Sequence, residues 1–367
     1  MATAAEPLRL QTLRQQAWRN LHPGTWQPGP QFNVLSGANG AGKSNVLEAV
    51  AYLGFLRSFR GAKSEHLQQQ PVAPGKLTAV QGHFRCGNTP IEAQVHWSAP
   101  GVRRPLLDGK RPQSFARWSS RLPMVIFHPA SLQVVSGGPE LRRLFLDRLL
   151  ALIDPAYSSI VTHYQRALRG RNRLLKDGQA AGAQLHAFDQ VLAEHGVRIV
   201  RRRQRLCEHL APRVDAAFAD IVGELWPLQL HYESRVEDDI ELMVQALRRQ
   251  LGRDKKRGYT SVGPHSDELR LNLKALQLRQ AASQGQQRAV VLALKLAELN
   301  WLRRSGHSPI LLLDDVTSEL DARRSGRLFA RLAQEQAQVF ITTTHPELVR
   351  TESATRHDFT VSDGMIS

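Results

Sequence analysis

Gly37-Ala38-Asn39-Gly40-Ala41-Gly42-Lys43-Ser44 fits the spacing G-x-x-x-x-G-K-S, a loop whose backbone N–H groups cradle phosphates. Phe32, Val34 and Leu35 ahead of it read as a buried strand, and Val46, Leu47, Ala49 and Val50 behind it as the inner face of a helix. That context matters, because a helix N-terminus then aims its positive dipole end at the phosphates. Lys43 is placed to neutralise the β- and γ-phosphates and the Ser44 hydroxyl to ligate Mg²⁺. Far downstream, Ile310-Leu311-Leu312-Leu313 runs into Asp314-Asp315, an apolar strand ending in two carboxylates. Asp314 is expected to hold the metal's water shell, and Asp315 to polarise an attacking water. Together the two halves imply a site for ATP or a close relative.

The two halves lie near opposite ends of the chain, whereas a compact kinase or GTPase places its second carboxylate much nearer. The intervening chain must form another body and then return to the same sheet. Just before the return, Ser283-Gln284-Gly285-Gln286-Gln287-Arg288 opens a helix running through Ala289, Leu292, Leu294, Leu296, Leu299 and Leu302. Ser283 followed by Gln286 also fits a capping box, which would make the segment a helix start and nothing more.

The order of phosphate loop, S-x-G-Q helix, carboxylate strand, Ser318-Glu319-Leu320-Asp321 and Thr343-Thr344-His345 resembles the ABC-type ATPase head. The wording is similar to that of the RecF family of bacterial recombination-repair ATPases. Matching pieces are Trp18-Arg19-Asn20, Gly37 to Glu48, Ser58-Phe59-Arg60, Gly137-Gly138-Pro139 and Arg142-Arg143 with Phe145-Leu146-Asp147. Gly263-Pro264-His265, Gln284 to Glu298 and Leu311 to Asp321 follow in the same order. The chain departs from the pattern where Phe127-His128-Pro129 leads into Ala130-Ser131 rather than an acidic pair, and where Ser266 replaces an arginine. The glutamine loop of ABC proteins has no secure counterpart; no glutamine follows Phe127 until Gln133.

The resemblance implies an α/β fold: an ABC-type head with a mixed-sheet nucleotide lobe, a mainly helical second lobe and no long coiled coil. Lobe I would comprise residues 1–128 and 303–367, and the helical lobe residues 129–302, ending in the signature helix. Two heads would sandwich two ATPs, each site joining one subunit's loop (Gly37 to Ser44, with Asn45) to Ser283, Gly285 and Gln286 of the other. His345 would sense the γ-phosphate, and Asp321 would contact the opposite subunit.

Composition is compatible. The chain of 367 residues is 42% hydrophobic, with two cysteines, a formal net charge of +16 and a pI near 10.6. Cys86 and Cys207 form no framework or metal cluster, which suits a reduced cytoplasm. The start lacks an apolar signal core, and no apolar run reaches membrane-spanning length. The positive charge is that expected of a protein meeting a polyanion. Arg166, Arg169, Arg173 and Lys176 fall on one helix face, and Arg198, Arg201, Arg202 and Arg205 repeat the pattern beside Arg203. Arg253-Asp254-Lys255-Lys256-Arg257 reads as a loop. For each group a solvated face is the alternative to a phosphate-tracking surface. Aromatics there are few (Tyr164, Phe188), which favours duplex backbone over stacked single-stranded bases.

Leu106 to Lys110 reads as a hairpin turn with Asp108-Gly109 supplying positive φ, and Pro71 to Gly75 as a loop. From Pro129 to Leu302 the chain reads as mostly helical, with Leu141, Leu144, Phe145, Arg148 and Leu149 at helical spacing. Asp177 to Gln184 reads as a short connection, and Ile310 to Leu313 with Val339 to Thr342 as returning strands. No sustained heptads appear, unlike the long-armed chromosome-maintenance ATPases.

The expected function is a cytoplasmic ATP-switched DNA clamp, with weak DNA-stimulated ATPase activity. By resemblance it would work with RecO and RecR to help RecA load at gaps. One alternative is the ATPase of a nuclease-associated, overcoming-lysogenisation-defect-like system, whose acidic nuclease domain the chain is too short to carry after His345. Another is the ATPase subunit of a membrane transporter, against which the long basic insert argues.

Overall fold

A computed structural model describes residues 6–69, 77–99, 102–178, 182–223, 226–274, 276–278, 282–318, 320–335, 337–351 and 355–367. The Pro71–Gly75 loop, Glu319 and part of the Asp177–Gln184 connection lie outside them. The chain divides into two compact units: 1–132, 216–225 and 283–367 form one, and 133–215 with 226–282 the other. The signature helix Gln284–Arg304 thus belongs with the nucleotide unit rather than ending the helical one. Its residues from Ala289 to Leu299 are all buried, and it packs against the strand Met124–Phe127.

The first unit holds two sheets. Phe32–Ser36, Val339–Thr343, Ile310–Asp314 and Met124–Phe127 lie side by side in parallel, flanked beyond Phe32–Ser36 by Arg356–Ser362 and then by Met365–Ile366, which is antiparallel. Four of these strands are buried at every position but Ser36, as parallel strands covered on both faces must be. The second sheet is antiparallel, and along Leu8–Gln16 and Thr78–Cys86 buried residues alternate with more exposed ones. Its order is Gly24–Trp26, Leu8–Gln16, Thr78–Cys86, Thr89–Ala99 and Val102–Leu107.

One core joins both sheets to the helix Lys43–Phe55: Leu10, Leu13, Val80, Phe84 and Val95 from the antiparallel sheet meet Ile126, Leu312 and Phe340 from the other. That helix is buried beyond the expected inner face of Val46, Leu47, Ala49 and Val50, since Ala51, Tyr52, Leu53 and even Glu48 are enclosed as well. Gln338 clips the sheets together: its side chain accepts from Leu10 N (2.7 Å) and donates to Leu10 O (3.0 Å) and Gly29 O (2.7 Å). The Leu106–Lys110 turn forms as expected, with Asp108 at φ 50° and Gly109 at φ 73°.

The second unit contains the helices Pro139–Ile153 and Tyr157–Lys176, most of Ala183–Val222, and Ile240–Arg249 with Leu251–Arg257. In Pro139–Ile153, Phe145 and Leu149 turn inward while Leu144 is exposed. Two expectations need correction. Residues 253–257 are helical, the run ending at Gly258 in the left-handed conformation; Asp254 is fully buried, and pairing it requires the helix. The supposedly helical stretch also contains an antiparallel three-stranded sheet, Leu228–Glu233, Glu268–Leu273 and Leu276–Gln277. The alternation Leu228, Leu230, Tyr232 and Leu269, Leu271, Leu273 was its available signal.

Buried charge holds this unit together. Arg171, 0% exposed, donates to Asp189 (2.7 Å), Asp254 (2.9 Å) and the Thr260 hydroxyl (2.9 Å). Arg203, counted with the surface arginines in the sequence, is buried: it pairs through two nitrogens with Asp147 (2.8 and 2.9 Å) and donates to Pro264 O (2.7 Å). Phe145-Leu146-Asp147 and Gly263-Pro264-His265 therefore meet on one guanidinium. His265 bonds the Tyr164 hydroxyl (2.6 Å), and burial lowers its pKa. Ser266 closes the turn by donating from Oγ to Gly263 O (2.8 Å).

Candidate functional site

The carboxyl ends of the parallel strands place the chemistry. Register sets Thr343 beside Ser36 and Asp314 beside Thr342, so the phosphate loop, the carboxylates and His345 leave the same end of one sheet. Ligands of open α/β sheets bind at this end. The loop Gly37 to Gly42 turns on positive φ at Gly37 (150°), Gly40 (83°) and Gly42 (114°). At Gly37 a Cβ would stand 2.2 Å from Val361 O, so a side chain is excluded by space as well as by conformation. Gly42 caps the helix without a side-chain bond, which leaves first-turn N–H groups turned to the loop.

Lys43 Nζ donates to Gly37 O and Ala38 O, each at 2.8 Å, within its own loop. Burial lowers its pKa, while Asp315 and Asp314 act against that shift. Ser44 Oγ donates to Asp314 Oδ1 (2.7 Å), and the Thr342 hydroxyl donates to the same oxygen (2.7 Å). A hydroxyl and a carboxylate oxygen in contact at the foot of a phosphate loop suit Mg²⁺, a hard cation that takes oxygen ligands and shares them with substrate phosphates. Among the described residues, no cluster of three His, Cys, Asp or Glu side chains could hold a metal without such help.

Asp315 has φ 52°, unusual for a side chain that is not glycine. Its N–H donates to Thr342 Oγ1 (3.0 Å), and its carboxylate accepts from Ser318 Oγ (2.7 Å). Thr317 and Thr343 share a buried hydroxyl pair at 2.5 Å, and His345 N donates to Thr343 Oγ1 (2.8 Å). The His345 ring is exposed, 3.1 Å from Glu347. Ser318 and Thr343 stand inside the motifs of the ABC-type order and Thr342 ends the expected returning strand, but their hydroxyl contacts carry no sequence signal.

Ser283 caps Gln284–Arg304 through a complete capping box: its Oγ accepts from Gln286 N (3.3 Å) and Gln286 Oε1 accepts from its N–H (2.8 Å). Its side chain is exposed, and a Cβ on Gly285 would stand 3.2 Å from Arg324 Nη1. Asp321 caps Ala322–Ala333, accepting from Arg324 N (2.8 Å).

A polar ring unnoticed in the sequence encircles the first turns of the phosphate helix. Arg19 pairs with the fully buried Glu48 (2.9 and 3.0 Å), which also accepts from Ser58 Oγ. Arg60 donates to Asn45 Oδ1 (2.9 Å), and Asn45 donates to Asn20 Oδ1 (2.7 Å). Trp18-Arg19-Asn20 and Ser58-Phe59-Arg60 thus converge on the segment Asn45 to Glu48. His128 packs on Phe59 at 5.0 Å, and Ser131 Oγ accepts from His128 N (3.2 Å), so Ala130-Ser131 forms a closed turn.

The arginine stripes split by fate. Arg166, Arg169, Arg173 and Lys176 are exposed along Tyr157–Lys176, Arg173 lying 3.7 Å from Asp177. Arg198 and Arg205 are exposed as well, but Arg201 is paired with Asp238 (2.5 Å) and Arg202 with Asp154 (2.6 Å). No helix among the described residues is long and apolar enough to cross a membrane.

Comparison with known proteins agrees with this layout. The model of the RecF/RecN/SMC N terminal domain matches residues 9–367. DNA replication and repair protein RecF of Myxococcus xanthus is 39% identical over 95% of this chain and 93% of its own, and that of Geobacter sulfurreducens 35% identical over 98% and 100%. The structure of the recombination mediator protein RecF with ATP superposes with a TM-score of 0.86 at 29% identity, covering 100% of this chain and 99% of that one. The Smc head domain of Pyrococcus furiosus gives 0.61 at 15% identity, covering 98% and 95%, a likeness of fold that bears out the ABC-type head. With family wording, site layout and full-length similarity all pointing one way, the chain belongs to the RecF family.

Proposed function

We propose that this chain is an ATP-switched, DNA-binding ATPase of recombinational repair, dimerising on ATP and closing on duplex DNA near single-strand junctions. By family resemblance it would work with RecO and RecR to help RecA load. The observation that carries the nucleotide reading is the convergence of Lys43, Ser44, Asp314 and Asp315 at one sheet end, with Ser44 2.7 Å from Asp314. ATP binding by the relative solved with it supports the same reading.

In this reading the loop N–H groups of Gly37 to Ser44 hold the phosphates, and Lys43 exchanges its two loop carbonyls for phosphate oxygens. Ser44 and Asp314 would hold Mg²⁺, which supplies charge compensation at the phosphates. Asp315, steadied by Ser318, orients the attacking water and takes its proton, and His345 lies on the γ-phosphate side. Ser283, Gly285 and Gln286 present a dipole-bearing helix end to the partner's nucleotide, with Asp321 at the same junction. ATP then acts as interface glue between two-fold-related sites. Arg166, Arg169, Arg173, Lys176, Arg198 and Arg205 contact the DNA backbone; Arg201 and Arg202 contribute only if their carboxylate partners release them.

Light scattering with ATP and Mg²⁺ tests the switch. Ser283→Arg should bind ATP as a monomer with near-normal affinity, yet fail to dimerise and fail to hydrolyse. Dimerisation of Ser283→Arg with ATP would reduce the segment to a capped helix. Binding to gapped against blunt duplex, with and without ATP, tests the DNA reading.

A further inference from the structure

The outer face of the antiparallel sheet in the first unit carries arginines that make no ion pair among the described residues. Burial alternates along Thr78–Cys86 and, on either side of a register shift between Leu10 and Thr12, along Leu8–Gln16, so Leu8, Leu10, Leu13, Val80 and Phe84 face the core while Arg9, Arg14, His83 and Arg85 face out. Register extends this face across the sheet: Arg9 stands opposite Arg85, Arg14 opposite Gln81 and then Gln94, and His96 opposite Arg104. All four arginines are exposed. Among the described residues none of them has an ion pair, whereas neighbouring Arg103 donates to the Tyr52 hydroxyl on the core side (2.9 Å). Glu92, a carboxylate on the outer face, accepts from Gln81 (2.7 Å).

Like charges directly opposite on one sheet face are destabilising, and Arg9 and Arg85 bear that cost without an internal return. We infer that this face is a contact surface for the phosphate backbone of duplex nucleic acid, an inference that rests on the DNA-binding reading and adds a track the helical arginines do not supply. A protein partner fits less well. Interfaces between proteins need an apolar centre, and this face offers only Ala79, Pro90 and Leu106 among arginine, histidine and glutamine. Backbone contact needs only donors and positive charge. Arg9 and Arg14 stand opposite Arg85 and Gln81, four residues or about 13 Å apart along the sheet, a reach suited to several phosphates.

The same strand leads into the segment that grips the phosphate helix. After Gln16 the chain passes through Ala17 (φ 49°) and Arg19 (φ 50°), where Trp18 Nε1 donates to Asn45 O (3.0 Å) and Arg19 grips Glu48. Backbone pressed on Arg9 and Arg14 therefore bears on the segment that clasps the phosphate helix, a direct route for DNA stimulation of ATP turnover.

The test uses the full chain and a blunt duplex titrated across salt concentrations. A combined Arg9→Gln, Arg14→Gln, Arg85→Gln, Arg104→Gln variant should lower the slope of log affinity against log salt by about 3 to 4 units, at ~0.9 per contact. It should lose DNA stimulation while keeping basal turnover and melting temperature. The matching lysine variant should keep most of the slope, since its charge is retained. Unchanged slope and affinity in the glutamine variant, with loss in an Arg166→Ala, Arg169→Ala, Arg173→Ala variant, would overturn this surface and leave the DNA reading standing. That is also the outcome expected if the face serves an acidic protein. Failure of the unaltered chain to bind duplex at low salt would overturn both.

Discussion

The charges at the phosphate loop and those inside the second unit are held in opposite ways. Lys43 rests on two backbone carbonyls of its own loop, and Asp315 on one serine hydroxyl. Arg171 and Arg203 are buried guanidiniums, the first held by Asp189 and Asp254 and the second by Asp147 and a backbone carbonyl. Contacts to neutral carbonyl and hydroxyl groups cost little to exchange, so the first set can turn to a ligand. A buried guanidinium with carboxylate partners cannot, because opening it strands two charges. The difference separates a site from a scaffold made of the same residue types.

Lys43→Ala gives the widest break. ATP binding, followed by calorimetry, should be abolished and DNA binding lost with it, while the melting temperature stays close to that of the parent. Lys43→Arg keeps charge but not shape, so binding should persist with hydrolysis impaired. Wild-type affinity in Lys43→Ala would remove the nucleotide site from this loop.

Asp315→Asn should lower turnover by about 10²- to 10⁴-fold with ATP binding intact, trapping a closed dimer. Asp314→Asn should instead weaken Mg²⁺-dependent binding. Normal hydrolysis by Asp315→Asn would move the general base elsewhere.

The scaffold breaks differently. Arg203→Met removes one partner of a buried pair and should cost about 3 to 5 kcal/mol of stability, read by denaturant unfolding. A loss below about 1 kcal/mol would mean that the pair behaves as a surface salt bridge, and the contrast with the phosphate loop would collapse. The smallest effect belongs to the helix face: Arg166→Ala, Arg169→Ala, Arg173→Ala should flatten the salt dependence of duplex binding by about 2 to 3 units with no change in stability. No change in slope would mark those arginines as a solvated face.

The strand–loop–helix at Phe32 to Phe55, the carboxylate strand Ile310–Asp314, the capped helix after Ser283 and the ABC-type order of parts are all legible in the amino-acid order. These are local patterns, set by glycine φ requirements, cap chemistry and apolar runs. Which side chains meet is settled by long-range packing. Thr342 reaches Asp314 because two parallel strands share a register, and Glu48 gathers Arg19 and Ser58 because two separate segments fold onto one helix. Arg198, Arg201, Arg202 and Arg203 look alike in a list, yet one is exposed, two are paired and one is buried. Helical spacing shows which residues share a face but not what that face meets, because a charge's fate depends on the carboxylates that long-range packing brings to it.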